Sequence, residues 1–298
     1  MSKKSERMKK NAERHAAAGA GKRERVKRAD RPIVVRSFEG TPGECDWIAL
    51  RELVPAATAP LHLKDHPDRD VTLGTVLPMA VPAMVREDGS VLVAAQTTIP
   101  SNDPSRDIAH ALLRALDARP GELLPIEPAP LDGPTLADIL TDAPLEVTVH
   151  ENFEFWLTEA EKEAPEVRAS MERANETVFP TVRLKSVEAA YWCAPGPKAH
   201  VRWPVPYPED DLLDALARLS AAGELTLGED TKFAGQFRGH GLLVPVWDVP
   251  IDAHPDEFEE PLARMKDRIE QALAVDTPLN EAERRARAGI IGRQVSLR

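Results

Sequence analysis

The sequence predicts an α+β fold built as two small related lobes, each a mainly antiparallel sheet partly covered by helices. Three observations carry that expectation. Two strand-like runs, a proline-started amphipathic helix and a short strand follow one another over residues 71–126, and the same order returns over residues 182–227. Proline is abundant at 27 residues, which favours short elements joined by stiff turns. With 298 residues, 42% hydrophobic and 29% charged, the chain can bury a sizeable core and has ordinary globular composition. The expected organisation is a basic disordered tail over 1–32, a first lobe over 33–145, a second over 146–276, and a C-terminal helix and tail over 277–298.

The tail is set apart by charge. Residues 1–31 hold 12 of the 38 Lys and Arg and 4 of the 49 Asp and Glu, which leaves 26 against 45 for residues 32–298. A segment of net charge +8 therefore precedes a body of net charge −19. The tail has no aromatic residue and cannot bury enough apolar surface to offset its ordering entropy, so disorder is expected. Its AAAGAGKR stretch imitates a phosphate loop, but Ala16 stands where the motif needs glycine and Arg23 where it needs Ser or Thr.

The folded body opens on Phe38–Leu61. Thr41, Pro42 and Glu44 fit a capping box with proline at the first helical position, and Pro55 stops the helix. Trp47, Leu50 and Leu53 would hold this helix as a clamp across the first lobe. Val71–Leu77 reads as a strand. Ala83–Arg86 and Val91–Thr98 flank Asp88-Gly89, a hairpin signal because glycine supplies a positive φ. Asp103-Pro104 caps a helix whose Ile108, Ala111, Leu112, Ala115 and Leu116 follow the i, i+3, i+4, i+7, i+8 rule. A short strand at Leu123–Ile126, a brief helix at Leu136–Leu140, and strands at Leu145–Val149 and Phe153–Leu157 follow. Thr158 with Glu161 opens a polar helix.

In the second half Val182–Cys193 and Ala199–Val205 are strand-like. Pro208 starts a helix with acidic residues in its first turn and Gly223 as its C-terminal cap, and Leu225–Leu227 matches the earlier short strand. KFAGQFRGHGLL, Lys232 to Leu243, reads as a glycine-rich, turn-rich entry into a last strand at Leu242–Trp247. Helices at Phe258–Ala274 and Glu281–Ala288 and a basic tail from Gly289 complete the chain.

Candidate chemistry is sparse. Cys45 lies in the first turn of the opening helix, where the dipole can lower a thiol pKa, and His62, His200 and His240 are available as bases. A packed thiol beside Trp47 is the simpler expectation. HENFE resembles a zinc helix, but Glu154 occupies the fifth place and the aromatic alternation predicts a strand. Lys232, Arg238 and His240 form the candidate small-anion site. The five tryptophans are expected in the core, and the Arg284, Arg285 and Arg287 run on a solvated helix face. No metal and no cofactor are expected. Two cysteines make no disulfide framework, and no apolar run reaches bilayer length, which points to the cytoplasm.

FEGTPGECDWIALRELVPAATAPL, VLPMAVPA, DPSRD, KFAGQFRGHGLLVPVWDVP and ERRARAGIIGRQVSLR together resemble an uncharacterised actinobacterial family, domain of unknown function 5926. The resemblance covers residues 35–298 and implies no activity or catalytic residues. The residues favour a non-enzymatic cytoplasmic binding or adaptor protein, with an acidic body, a basic arm and a protein partner. The alternatives are a cysteine-dependent hydrolase or transferase using Cys45, and an RNA- or ribosome-associated protein acting through residues 1–31.

Overall fold

Alternating Ala-Thr-Ala and Val-Thr-Leu triplets place one apolar and one polar face on the first strands of the body, and a sheet follows from them. The computed structural model describes residues 32–158 and 165–295. The first sheet contains β1 (Ala57–Pro60), β2 (Val71–Gly74), β3 (Ala83–Val85), β4 (Val91–Ala94) and β5 (Thr148–Val149), in the order β3-β4-β2-β1-β5. Strands β2 and β4 run parallel, and the other neighbours are antiparallel. The second sheet is antiparallel throughout. It orders β6 (Thr181–Leu184), β7 (Ala190–Cys193), β8 (Ala199–Arg202), β9 (Lys232–Gly239) and β10 (Leu242–Val249) as β6-β7-β8-β10-β9. The expected α+β architecture with two mainly antiparallel sheets is therefore present.

Helix α1 (Glu44–Glu52) and helix α2 (Pro104–Leu116) cover the apolar face of the first sheet. Trp47, Ile48 and Leu50 of α1 and Ile108 and Leu112 of α2 pack with Ala57, Leu73, Val91 and Val93. Tyr191, Leu242 and Val244 of the second sheet enter this same core, so α1 lies between the two sheets rather than across the first lobe alone. At ~1.5–3 kcal/mol for each large apolar side chain, its buried face outweighs any cap. Helix α3 (Leu136–Ile139) packs on α2. Helix α4 (Pro165–Asn175) precedes the second sheet. Helices α5 (Glu209–Ala221), α6 (Glu259–Leu273) and α7 (Glu281–Ile291) cover the second sheet's other face, around Trp192, Val201, Leu243 and Trp247. Trp47, Trp192, Trp203 and Trp247 are buried as expected, whereas Trp156 is only half-buried.

Several local expectations are corrected. Helix α1 starts after Gly43 rather than Thr41, because Gly43 turns left-handed at φ 70° and its carbonyl accepts the first helical bond from Trp47 N at 3.0 Å. Thr41 Oγ1 is buried without a partner, and Glu44 is held by Arg36 at 2.7 and 2.8 Å instead of reaching back to a cap. The run Val182–Cys193 divides into β6 and β7, since Glu259 accepts from the amides of Lys185 and Ser186 (2.8 and 2.7 Å) and holds the turn between them. Leu123–Ile126 makes only a single bridge to Met84. Leu225–Leu227 is loop, held by the Thr226 and Thr231 hydroxyls. Phe153–Leu157 is not a strand but a 3-10 turn over Glu154–Trp156, because its aromatic rings pack on one side rather than alternating. The segment from Lys232 is a full strand, and only His240-Gly241 forms the turn, with φ of 46° and 87° as a tight hairpin requires. The disordered-tail expectation and the Thr158–Glu161 helix start rest on residues 1–31 and 161, outside the described residues.

The C-terminal segment closes the edge of the second sheet. Gln236 N donates to Arg293 O (3.2 Å), and Val295 N donates to Gln236 O (3.0 Å). The Gln236 amide nitrogen faces the carbonyls of Arg293 and Ile290 at 3.0 and 3.1 Å. Arg287 reaches Asp214 and Asp210 at 2.6 and 2.7 Å, so this part of the arginine run docks α7 on α5 rather than facing solvent alone. Pairing of this kind blunts an otherwise open strand edge.

Candidate functional site

The polar face of the first sheet carries Thr58 on β1 and Thr72 on β2, with Leu92 of β4 beside them. The chain leaves β5 at the sheet edge, where His150 N donates to Ala56 O at 2.9 Å, and then crosses this face. Phe153 and Trp156 stack with centroids 4.4 Å apart, and Trp156 Nε1 donates to Val76 O at 2.8 Å. Asn175 of α4 accepts from Phe153 N at 3.0 Å. These bonds hold the aromatic turn off the sheet and leave an open cleft of about 420 Å³ between them. Its polar lining is Thr58, Thr72, Arg86, His150, Asn152 and Glu154, against an apolar wall of Leu92, Phe155 and Leu157.

His150 Nε2 lies 2.8 Å from Thr58 Oγ1, and its ring tilts against Phe155 at 5.0 Å. Burial lowers its pKa, so the imidazole is neutral at pH 7. Arg86 donates from Nη2 to Phe155 O, and its Nε is sealed without a partner. Among the described residues no carboxylate pairs with it, so its charge is presented to the cleft. Asn152 Oδ1 accepts from Glu154 N at 2.9 Å and fixes the rim. The lining thus holds one cation, one neutral imidazole, two hydroxyls, the Asn152 amide and the Glu154 carboxylate, and the Arg86 side of it, against the apolar wall, suits a carboxylate attached to an apolar body.

The residues singled out from the sequence lie elsewhere. Cys45 is buried in the first turn of α1, and burial, reinforced by Glu188, Glu44 and Asp46, pushes its thiol pKa far up. No hydrogen bond joins it to an imidazole among the described residues; His200 is bonded to Asp248, and His240 to Ser37 and Glu52. Arg238 is held by Glu209. Lys232 and Arg238 stand at opposite ends of β9, about 20 Å apart, and His240 is in the hairpin turn, so the three do not converge. Of HENFE, His150 and Glu154 both line the cleft, whereas Glu151 is exposed. Among the described residues no three His, Cys, Asp or Glu side chains form a metal-binding group. The readable signal for the cleft was the threonine at the middle of each triplet, Ala57-Thr58-Ala59 and Val71-Thr72-Leu73. Arg86 gave none, because it joins the site through pairing of β3 with β4 and a crossing segment 69 residues away.

Fold and site together define a two-sheet α+β protein with a mixed polar and aromatic cleft on the outer face of its first sheet. The chain belongs to a family of unknown function, DUF5926, whose model matches residues 37–298. Neither a curated protein nor a solved structure matches the chain. Among the described residues, no helix is long and apolar enough to cross a membrane.

Proposed function

We propose that the protein is a cytoplasmic binding or adaptor module rather than an enzyme, and that its cleft receives a carboxylate-bearing segment of a protein partner. The observation that carries this reading is Arg86, a guanidinium without a carboxylate partner among the described residues, set at the wall of a cleft large enough for a few residues. Its bond to Phe155 O ties the cation to the aromatic wall, so charge and apolar surface are offered together. The neutral His150 and the Thr58 hydroxyl add uncharged hydrogen-bonding groups to the cleft. Both cysteines are free and buried, in keeping with a reducing compartment. The Cys45 alternative is not favoured, because a sealed thiol of raised pKa with no base beside it lacks both halves of an activated nucleophile.

The test is a library of short peptides, each made with a free and an amidated carboxyl, titrated against wild type and Arg86→Gln by calorimetry. Free carboxyls are expected to bind at least tenfold more tightly than their amides, and Arg86→Gln is expected to erase that difference. Equal binding of acid and amide, or a preference that survives Arg86→Gln, rejects the reading.

A further inference from the structure

A buried cation lies on the second sheet. The antiparallel register lines up Cys193, His200, Asp248 and Lys232 across β7, β8, β10 and β9, with their side chains on one face. Arg202, two residues beyond His200, shares that face and stands between Tyr191 and Val246. Its exposure is 8%, yet its side chain makes no hydrogen bond or ion pair among the described residues. Other arginines with little exposure each have a partner at a terminal nitrogen: Arg183 has Asp46, Arg51 has Ala95 O, and Arg218 has Glu283 and Thr277 O, although Arg218 Nε is sealed without one. Leaving a buried charge unpaired costs several kcal/mol, so natural interiors pair such groups. Arg202 Nε is sealed from solvent without a partner, whereas its two terminal nitrogens are not sealed. The forked end of the guanidinium is therefore the part of Arg202 that solvent reaches.

The groups in register with that end are mostly cationic, in an acidic body. His200 Nδ1 lies 3.0 Å from Asp248 Oδ1, and Lys198 Nζ lies 3.0 Å from Asp248 Oδ2. Asp248 is thus committed to two cation-forming partners, and with Nδ1 bonded the His200 Nε2 is left open. Burial and the charge of Arg202 both lower the pKa of His200, while Asp248 opposes them. Arg202 also counters the burial that pushes the Cys193 thiol up to about 11. Arg202, Lys198 and Lys232 thus share this face with Asp248, while the Asp46 carboxylate beyond Tyr191 is taken up by Arg183 and the Tyr191 hydroxyl.

We propose that Arg202, assisted by His200 and by Lys232 and Lys198 at the rim, binds a phosphate-type oxyanion on this face of the second sheet. The guanidinium fork supplies paired donors to two oxygens of the anion. The lysines add charge, and the open imidazole nitrogen bonds a third oxygen when either partner carries the proton. This site is separate from the Arg86 cleft and does not depend on a ligand there.

Two measurements on the full chain test it. Inorganic phosphate, glycerol phosphate and acetate are titrated by calorimetry at constant ionic strength against wild type, Arg202→Met, Lys232→Ala and Arg86→Gln. Phosphate is expected to bind wild type and Arg86→Gln alike, at least tenfold more weakly to Arg202→Met, and a few-fold more weakly to Lys232→Ala. Tighter binding of glycerol phosphate would assign the site to phosphomonoesters, and equal binding to the phosphate group itself. Acetate binding as tight as phosphate, or phosphate binding unchanged in Arg202→Met, overturns the proposal. The second measurement is urea unfolding without ligand. Arg202→Met should be at least as stable as wild type, because an unpaired buried charge is removed. A strong loss of stability in that variant would mean that Arg202 is a structural residue, and would also overturn it.

Discussion

Arg183 Nη2 lies 2.9 Å from Asp46 Oδ2, which ties β6 to α1 through a carboxylate that is 4% exposed and a guanidinium that is 24% exposed. Tyr191 donates its hydroxyl to the other carboxylate oxygen at 3.2 Å. Even so, burial dominates and raises the Asp46 pKa to about 6, with Arg183 opposing and Glu188 adding to the rise. An unfolded aspartate titrates near ~3.9. Between about pH 4 and 6 the folded chain therefore binds the proton more tightly, and stability falls as pH rises through that window. The gap corresponds to about 3 kcal/mol at most. Asp46→Asn cannot ionise, so the stability of wild type minus that of Asp46→Asn should drop by about 2–3 kcal/mol between pH 4 and pH 7 in urea unfolding. A difference that stays constant across the window contradicts the assignment.

Gly235 sits at φ 146°, and a Cβ there would lie 2.2 Å from Arg293 O. That carbonyl accepts the bond from Gln236 N that begins the docking of the C-terminal segment. Gly235→Ala should push residues 293–295 off the edge of β9 and cost about 1–3 kcal/mol. Hydrogen exchange gives the local readout: the Gln236 and Val295 amides should lose protection, while those of β1 and β2 keep theirs. Unchanged protection at Val295 would mean that the segment tolerates the methyl group.

Cys45 and Cys193 are 2% and 1% exposed, and burial raises both thiol pKa values. Thiolate and access are both needed for alkylation. Neither residue should react with iodoacetamide at pH 7.5 in the native protein, and both should react in urea. Labelling of native Cys45 at the rate of an unfolded thiol would restore the hydrolase or transferase alternative.

What was legible depended on how local the cause is. Helix α2 follows from Asp103 accepting from Arg106 N at 3.2 Å and from its apolar stripe, all within one segment, and its start and stripe match the expectation, although it stops at Leu116, short of Pro120-Gly121. Helix α1 was legible as a helix but not at its start, because Gly43 packs against Leu145, about a hundred positions away, at 3.3 Å for an added Cβ. The glycines of KFAGQFRG suggested turns, yet Gly235 serves a close approach by Arg293 and Gly239 one by Ile48. Such approaches are tertiary and leave no periodic trace. The cleft was half legible for the same reason. Its threonines follow strand alternation, whereas Arg86 and the Phe153–Leu157 turn meet only through the folded sheet.

Arg238 illustrates how the acidic body absorbs its own cations. Its guanidinium is held by Glu209 in the first turn of α5, and that pairing lowers the Glu209 pKa. The two side chains are 48% and 35% exposed, so solvent screens the pair and its contribution should be under about 1 kcal/mol. Arg238→Ala is accordingly expected to unfold within about 1 kcal/mol of wild type, with the difference shrinking in high salt. The same variant should bind phosphate as wild type does, since Arg202 and Lys232 stand away from the β9–β10 turn. Phosphate binding that disappears in Arg238→Ala and persists in Arg202→Met would move the anion site to the hairpin end of β9, where Arg238 and His240 lie.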